Sequence, residues 1–221
     1  MSGLADPERQ LALSYAPAAT RARLALLWAL DERLATIVAA AREPAIGAMR
    51  LLWWRDALVR LDDPNAPVPA EPLLASIAQH LLPTGLSGAA LSELEEGWAV
   101  LLDSAEPDEQ AIQQHGVWRG GRLFALSAQL LGADRDDIAR AGEGWALAEL
   151  GHRLSSPDAR RKARAAAQEK LERLVPGRWP ASLGLLIVLA KRDAASPAGQ
   201  QRRQGSPGRV ARALLYRLFG H

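Results

Sequence analysis

Apolar residues recur at helical spacing along most of this chain, most densely in the stretch from Ala45 to Leu58. Its apolar residues fall on two sides of a helix with 3.6 residues per turn: Ile46, Met49, Leu51, Leu52, Trp53, Trp54 and Leu58. A helix that is apolar over more than half of its circumference is normally buried on several sides. The pattern therefore predicts a central helix that carries Arg50 and Arg55 into or beside the core.

The same spacing predicts eight to ten helices in all. The predicted segments are about 21–41, 45–61, 73–82, 86–102, 107–114, 123–131, 134–154, 157–175, 180–190 and 210–219. We expect Thr20, Ser87 and Asp134 to cap three of these helices, because short polar side chains accept hydrogen bonds from the first free N–H groups. No run alternates apolar and polar residues between turn residues, as a half-buried strand would. The predicted fold class is all-α.

Length and composition predict one domain with an appended helix. The apolar fraction of 48% suffices for a sizeable core. We assign residues 1–193 to a helical domain, 194–208 to a mobile linker rich in Gln, Gly, Pro and Ser, and 209–221 to a basic amphipathic helix.

Several classes of site are disfavoured by residue usage. The chain has no cysteine, and its four histidines are scattered, so no thiolate or zinc-type cluster is predicted. The first residues are polar, and the longest strongly apolar run, 183–190, is too short to cross a bilayer. We therefore expect a cytoplasmic protein.

The net charge of +2 hides an asymmetry between the two parts of the chain. Residues 1–152 hold 12 Lys/Arg and 21 Asp/Glu, whereas residues 153–221 hold 15 and 4. Such a polarity favours an acidic protein partner, an anionic membrane surface, or mutual neutralisation of the two parts. The candidate surface residues are Arg160, Arg161, Lys162, Arg164, Arg209, Arg212 and Arg217. We do not expect nucleic-acid binding, since no recognition motif accompanies these charges.

Five segments, taken in order, resemble the squalene/phytoene synthase family over roughly residues 11–192. Residues 26–30 (LLWAL) resemble its first core helix, and residues 45–58 resemble the segment that follows. Residues 96–103, 120–123 and 142–154 resemble its DGMxxDL segment, its VG-x-L turn and its second aspartate-rich helix. The resemblance implies an isoprenoid-synthase-type helical bundle, here truncated.

The carboxylates that the resemblance implies for Mg²⁺ are missing. The family holds its prenyl diphosphates through Mg²⁺ and two aspartate motifs, and hard cations require such oxygen ligands. Ala35, Thr36 and Ala39 stand where the first motif would be, and Glu149 is the only acid in residues 145–153, where the second would be. Asp31 and Glu32 lie one turn earlier, but adjacent residues point about 100° apart on a helix and make a poor joint clamp. No cofactor is therefore predicted, except Mg²⁺ if the displaced acids still support catalysis.

The chain resembles most a non-catalytic branch of the family, which includes the mitochondrial complex I assembly factor with a phytoene-synthase-like fold. That resemblance implies a binding or assembly factor, with a complex I intermediate as a possible partner. Two alternatives stay open: a prenyl transferase that uses displaced acids, and a peripheral protein at the inner face of the cytoplasmic membrane. The candidate ligand or cavity residues are Asp31, Glu32, Arg50, Trp53, Trp54, Arg55 and Glu149. For the arginines and tryptophans among them, snorkelling to the surface or filling the core is the competing interpretation.

Overall fold

A computed structural model describes residues 3–102, 106–196 and 206–219, with side chains up to residue 216. All regular secondary structure in these residues is helical. The α-helices are α1 (Pro7–Ser14), α2 (Ala18–Ala40), α3 (Pro44–Arg60), α4 (Pro72–His80), α5 (Gly88–Ser92), α6 (Leu94–Ala99), α7 (Glu109–Gln114), α8 (Arg122–Leu131), α9 (Ile138–Arg153), α10 (Pro157–Glu172), α11 (Ala181–Ala195) and α12 (Pro207–Phe219). A 3₁₀ turn (Leu82–Thr84) follows α4, and a π-helix (His115–Gly121) joins α7 to α8 without a break. The predicted all-α class is confirmed.

Several predicted helix boundaries change. Ser87 caps α5 as predicted, accepting a hydrogen bond from the Ala90 N–H at 3.1 Å, but the segment 86–102 is two short helices. Thr20 lies inside α2 and donates to the Pro17 carbonyl, so it caps nothing. Asp137, not Asp134, precedes α9. Helix α1 was not predicted, because its eight residues are too few to show a period.

The central helix is α9, and the prediction that α3 is buried on several sides is wrong. Helix α9 packs against α8, α10, α11 and the π-helix. Among the described residues, helix α3 packs mainly against α2, α5 and α6, and it buries Leu51, Trp54 and Leu58. Its second apolar side faces solvent and comprises Ile46, Met49, Leu52, Trp53 and Val59. Periodicity indicates which sides of a helix are apolar, but it does not indicate how many neighbours the helix has.

Two glycines allow the π-helix to lie directly against α9. A Cβ on Gly120 would overlap the carbonyl oxygen of Gly142, and a Cβ on Gly142 would overlap that of Gly120. A Cβ on Gly97 of α6 would likewise overlap the backbone of Arg119 in the π-helix. These contacts bring Arg119 into the core, where its side chain has no solvent exposure.

Helix α12 packs against the bundle through a buried ion cluster. Arg209 binds the carboxylates of Glu8 on α1 and Asp193 on α11, and the Tyr15 hydroxyl donates to the Ala213 carbonyl at 3.1 Å. The expectation that Arg209 faces a membrane or partner is corrected, because the residue is 6% exposed. Of the predicted linker 194–208, residues 194–195 belong to α11 and 207–208 to α12, while 197–205 lie outside the described residues.

The described helices include none that is both long enough and apolar enough to span a membrane.

We predict that Gly120→Ala lowers the free energy of unfolding by about 1–3 kcal/mol or more, because the new methyl group must push α9 away from the π-helix. The matched control is Gly121→Ala, whose Cβ would meet its nearest neighbour, Glu143 Cγ, at 3.4 Å. The free energy of unfolding of the control should stay the same or rise, since alanine favours helix more than glycine does. Urea denaturation of both variants measures the difference, and equal effects would contradict the close crossing.

Candidate functional site

Asp31 and Glu149 face each other in the centre of the bundle, with the guanidinium group of Arg119 between them. Asp31 comes from α2, Glu149 from α9 and Arg119 from the π-helix. The Arg119 side chain contacts Asp31 through Nε at 3.0 Å and through Nη2 at 3.1 Å. Its Nη2 also donates to Glu149 Oε2 at 2.6 Å. We call this arrangement the Asp31–Arg119–Glu149 bridge.

Arg9 and Trp98 complete the coordination of Asp31. Arg9 Nη2 donates to Asp31 Oδ2 at 2.5 Å, and the indole N–H of Trp98 donates to Oδ1 at 2.8 Å. Both oxygens of this fully buried carboxylate therefore accept two hydrogen bonds each. Glu149 is held on its other oxygen by Arg153, one turn along α9. Three guanidinium groups thus surround two carboxylates.

Indole rings enclose the guanidinium groups of the bridge. The Arg119 guanidinium carbon lies 4.3 Å from the ring centroid of Trp98 and 4.8 Å from that of Trp145. Arg9 lies 4.9 Å from the Trp145 centroid. A desolvated cation over an aromatic face is stabilised by the ring quadrupole, so the aromatic residues favour a cation at this position.

The ionisation states follow from these contacts. Burial by itself raises the pKa of the Asp31 carboxyl, but Arg119 and Arg9 outweigh it and hold that pKa well below its usual range. Burial opposes the charge on Arg119 too, yet Asp31 and Glu149 raise its pKa above the usual value. Asp31 and Arg119 are therefore both charged at neutral pH.

His115 lies beside the bridge in its neutral form. Burial, followed by the positive charge of Arg119, lowers the pKa of His115 to about 3. Its Nδ1 lies 2.5 Å from the Gly97 carbonyl oxygen and donates to it, which leaves Nε2 to accept from Arg119 Nη1 at 3.3 Å. A base with so low a pKa is a poor proton acceptor near neutral pH.

The residues at this site do not fit a divalent cation. A metal ion would need free carboxylate oxygens, and those of Asp31 are all engaged by nitrogen donors. A third cation would also be repelled by Arg9 and Arg119. A cavity of about 10 Å³ borders Glu149, which is about the space of one water molecule. Within the described part of the chain, no group of three or more His, Asp or Glu could hold a metal ion.

The other predicted cavity residues lie away from the bridge. Glu32 faces a different direction from Asp31, as the helical geometry predicts, and accepts from the backbone N–H groups of Ala5 and Asp6. Arg50, Trp53 and Arg55 are exposed on the outer side of α3, so the expectation that they line a cavity is corrected. Trp54 is a buried core residue, with Trp53 packed edge-on against it at 5.6 Å between ring centroids.

The basic candidate surface is partly engaged in contacts within the chain. Arg161 and Lys162 both pair with Asp158, and Arg164 donates to the Asp193 carbonyl at 3.2 Å. Arg160 donates to the Ser155 carbonyl. Arg212 is exposed, and the side chain of Arg217 lies outside the described residues.

Sequence reasoning missed the two arginines that define the site, Arg9 and Arg119. Arg119 did carry a signal, because it is the only charged residue between Glu109 and Arg122 and it precedes a glycine pair. A lone cation in an otherwise uncharged helical stretch indicates a buried partner of opposite charge. Arg9 carried no comparable signal, since it belongs to the short helix α1.

The chain belongs to the squalene/phytoene synthase family, whose model matches residues 4–174. This region includes all residues of the bridge. Comparisons with curated proteins and with solved structures give no match.

Replacing Arg119 by methionine should lower the free energy of unfolding by about 3–5 kcal/mol, because two buried carboxylates lose their principal counter-charge. Arg122→Met is the matched control: Arg122 lies one turn further along, is 37% exposed and pairs with Glu93. Its loss should cost less than about 1 kcal/mol. Similar losses for both variants in urea denaturation would show that the bridge is not a principal source of stability.

Because His115 is buried in its neutral form, the free energy of unfolding should depend on pH. In the unfolded chain His115 binds a proton near pH 6.5, whereas in the folded protein it does so only near pH 3. Lowering the pH from 6 to 4 therefore favours the unfolded chain by about 1.4 kcal/mol per pH unit. His115→Gln should remove this slope while keeping one donor and one acceptor. If the stability difference between wild type and variant were constant from pH 4 to pH 6, this assignment would be wrong.

Proposed function

We propose that this chain is a non-catalytic member of the squalene/phytoene synthase family that acts as a binding or assembly factor. The observation that carries the proposal is the Asp31–Arg119–Glu149 bridge. The acids on the two helices that resemble the family's metal-binding helices are neutralised from within the protein.

Loss of the metal site would remove the main source of catalysis. Ionisation of a prenyl diphosphate concentrates negative charge on the leaving group, and divalent cations supply most of its stabilisation. Before it could bind a metal, the bridge would have to open and leave Arg119 without its partners. Residues 35, 36 and 39 of α2, where the resemblance places the first motif, have no carboxylate to replace Asp31.

The competing function is a prenyl transferase that uses the displaced acids. Joint action of Asp31, Glu32 and Glu149 is disfavoured, because Glu32 accepts from backbone groups of residues 5 and 6 and does not face the bridge. Asp31 and Glu149 alone would have to bind the cations.

Incubation of the purified protein with farnesyl or geranylgeranyl diphosphate and Mg²⁺ tests catalysis. We expect no condensation product and no release of diphosphate, with an active phytoene synthase in parallel as the positive control. A Mg²⁺-dependent product that Asp31→Asn abolishes would overturn the proposal. The melting temperature should also stay unchanged when millimolar Mg²⁺ and a diphosphate analogue are added together.

The outer side of α3 is the surface we propose for a protein partner. Met49 is 63% exposed and Trp53 is 49% exposed, and Ile46 and Leu52 lie beside them on the same helix. Several large apolar side chains exposed together on one helix are typical of an interaction site. Tryptophan and arginine are also the residues that most often dominate protein interfaces, and Arg50 lies within this group.

An assembly intermediate of respiratory complex I is the partner we propose, on the resemblance to the non-catalytic branch of the family. The site of action would be the cytoplasm or the inner face of the cytoplasmic membrane. Binding through α3 is independent of the basic C-terminal region, whose arginines are partly engaged in contacts within the chain.

We predict that Trp53→Glu abolishes the partner function without unfolding the protein, because it places a charge in the centre of the apolar side of α3. Val68→Glu is the control, since Val68 is similarly exposed at 46% but lies in the loop before α4. Each variant is expressed in a deletion strain of the source organism, and complex I is measured by native gel and by NADH:quinone oxidoreductase activity. Normal complex I in the deletion strain would refute the partner, and full rescue by Trp53→Glu would refute the surface.

A further inference from the structure

A cleft of about 780 Å³ lies between α11, α12 and the loop that follows α10. This volume is within the range of about 300–1,000 Å³ that is usual for small-molecule sites. Its apolar wall includes Trp179, Ile187, Val188 and Tyr216. Its polar residues include three cations, Lys191, Arg192 and Arg212.

The cleft is separate from the Asp31–Arg119–Glu149 bridge. Its lining runs from Leu174 to Tyr216, whereas the match to the family model ends at residue 174. None of the bridge residues lines it. The cleft is therefore formed by the part of the chain that follows the family-matched region.

One wall of the cleft is fixed by Arg135. Its guanidinium group pairs with Asp137 at 2.9 Å, donates to the Val175 carbonyl at 2.8 Å, and lies 4.0 Å from the ring centroid of Trp179. Asp137 in turn accepts from the Val175 N–H at 2.8 Å. The loop after α10 is thus held in place by three contacts, two with Arg135 and one with Asp137.

The opposite wall, α12, is fixed by the ion cluster of Arg209 with Glu8 and Asp193. Tyr216 packs so closely on Gly184 of α11 that a Cβ there would overlap its hydroxyl oxygen. With both walls fixed, the cleft is formed before any ligand arrives, which lowers the entropy cost of binding.

The three cations give the cleft a strong preference for anions. Among the residues that the structure describes, no carboxylate pairs with Lys191, Arg192 or Arg212. The acid next to them in sequence, Asp193, is bound by Arg209, and Asp137, which holds the loop after α10, is bound by Arg135. The local charge is therefore uncompensated and open to a ligand.

We propose that this cleft binds a free single-chain amphiphile with an anionic head group. The alkyl chain lies against Trp179, Ile187 and Val188, and the head group is neutralised by Lys191, Arg192 and Arg212. Carboxylate and phosphate heads share this chemistry, so a fatty acid and an alkyl phosphate are the two sources that the test must separate.

Isothermal titration of the full chain with monomeric decanoate and decyl phosphate tests the proposal, with uncharged decyl glucoside and inorganic phosphate as reference ligands. We expect a single site for at least one of the two anionic amphiphiles, with an affinity above that of either reference ligand. The ratio of the decanoate and decyl phosphate affinities identifies the preferred head group. Affinity no higher than that of decyl glucoside, or of inorganic phosphate, would overturn the proposal.

Variants locate the site. Lys191→Gln/Arg212→Gln should weaken binding of the anionic amphiphile by about tenfold or more, because two charge-assisted contacts are lost. Arg23→Gln/Arg60→Gln removes the same charge from exposed residues elsewhere and should leave the affinity unchanged. Val188→Trp should fill the cleft and abolish binding. Binding that survives both cleft variants, or binding only to phosphatidylglycerol vesicles and not to monomers, would refute the site.

Discussion

The Asp31–Arg119–Glu149 bridge is the interaction on which the arrangement of the helices depends. It joins α2, the π-helix and α9, and Arg9 connects α1 to the same carboxylates. A buried charge without its partner costs several kcal/mol, so each of these helices is constrained to the position at which its charge is neutralised. The glycine contacts between the π-helix and α9 make this position sterically possible.

On our proposal that no divalent cation binds at the centre of the bundle, the bridge takes over the neutralisation of the central carboxylates. Carboxylates on two facing helices repel each other unless a cation lies between them. A guanidinium group supplies that cation from within the chain, with donors that match both carboxylates. On our proposal, the protein thereby gains stability at the place where a synthase would need an open, metal-binding site, and its interactions move to the outer surface.

Local patterns predicted the helices but not their neighbours. Leu51, Trp54 and Leu58 show the buried side of α3 by their spacing, and the spacing of Met49 and Trp53 is equally regular although they face solvent. The resemblance to the family did place Asp31 and Glu149 on facing helices. Their counter-ions could not be inferred in the same way, because ion pairs between residues 22, 30 and 88 positions apart leave no periodic signal.

Titration of the protein with Mn²⁺, followed by the electron paramagnetic resonance signal of the free ion, tests the central claim most directly. If Arg119 and Arg9 take the place of metal ions between Asp31 and Glu149, the signal should match that of protein-free buffer, with or without a diphosphate analogue. Stoichiometric loss of the free-ion signal that Asp31→Asn and Glu149→Gln each abolish would contradict the account, because it would show that these carboxylates still bind a divalent cation.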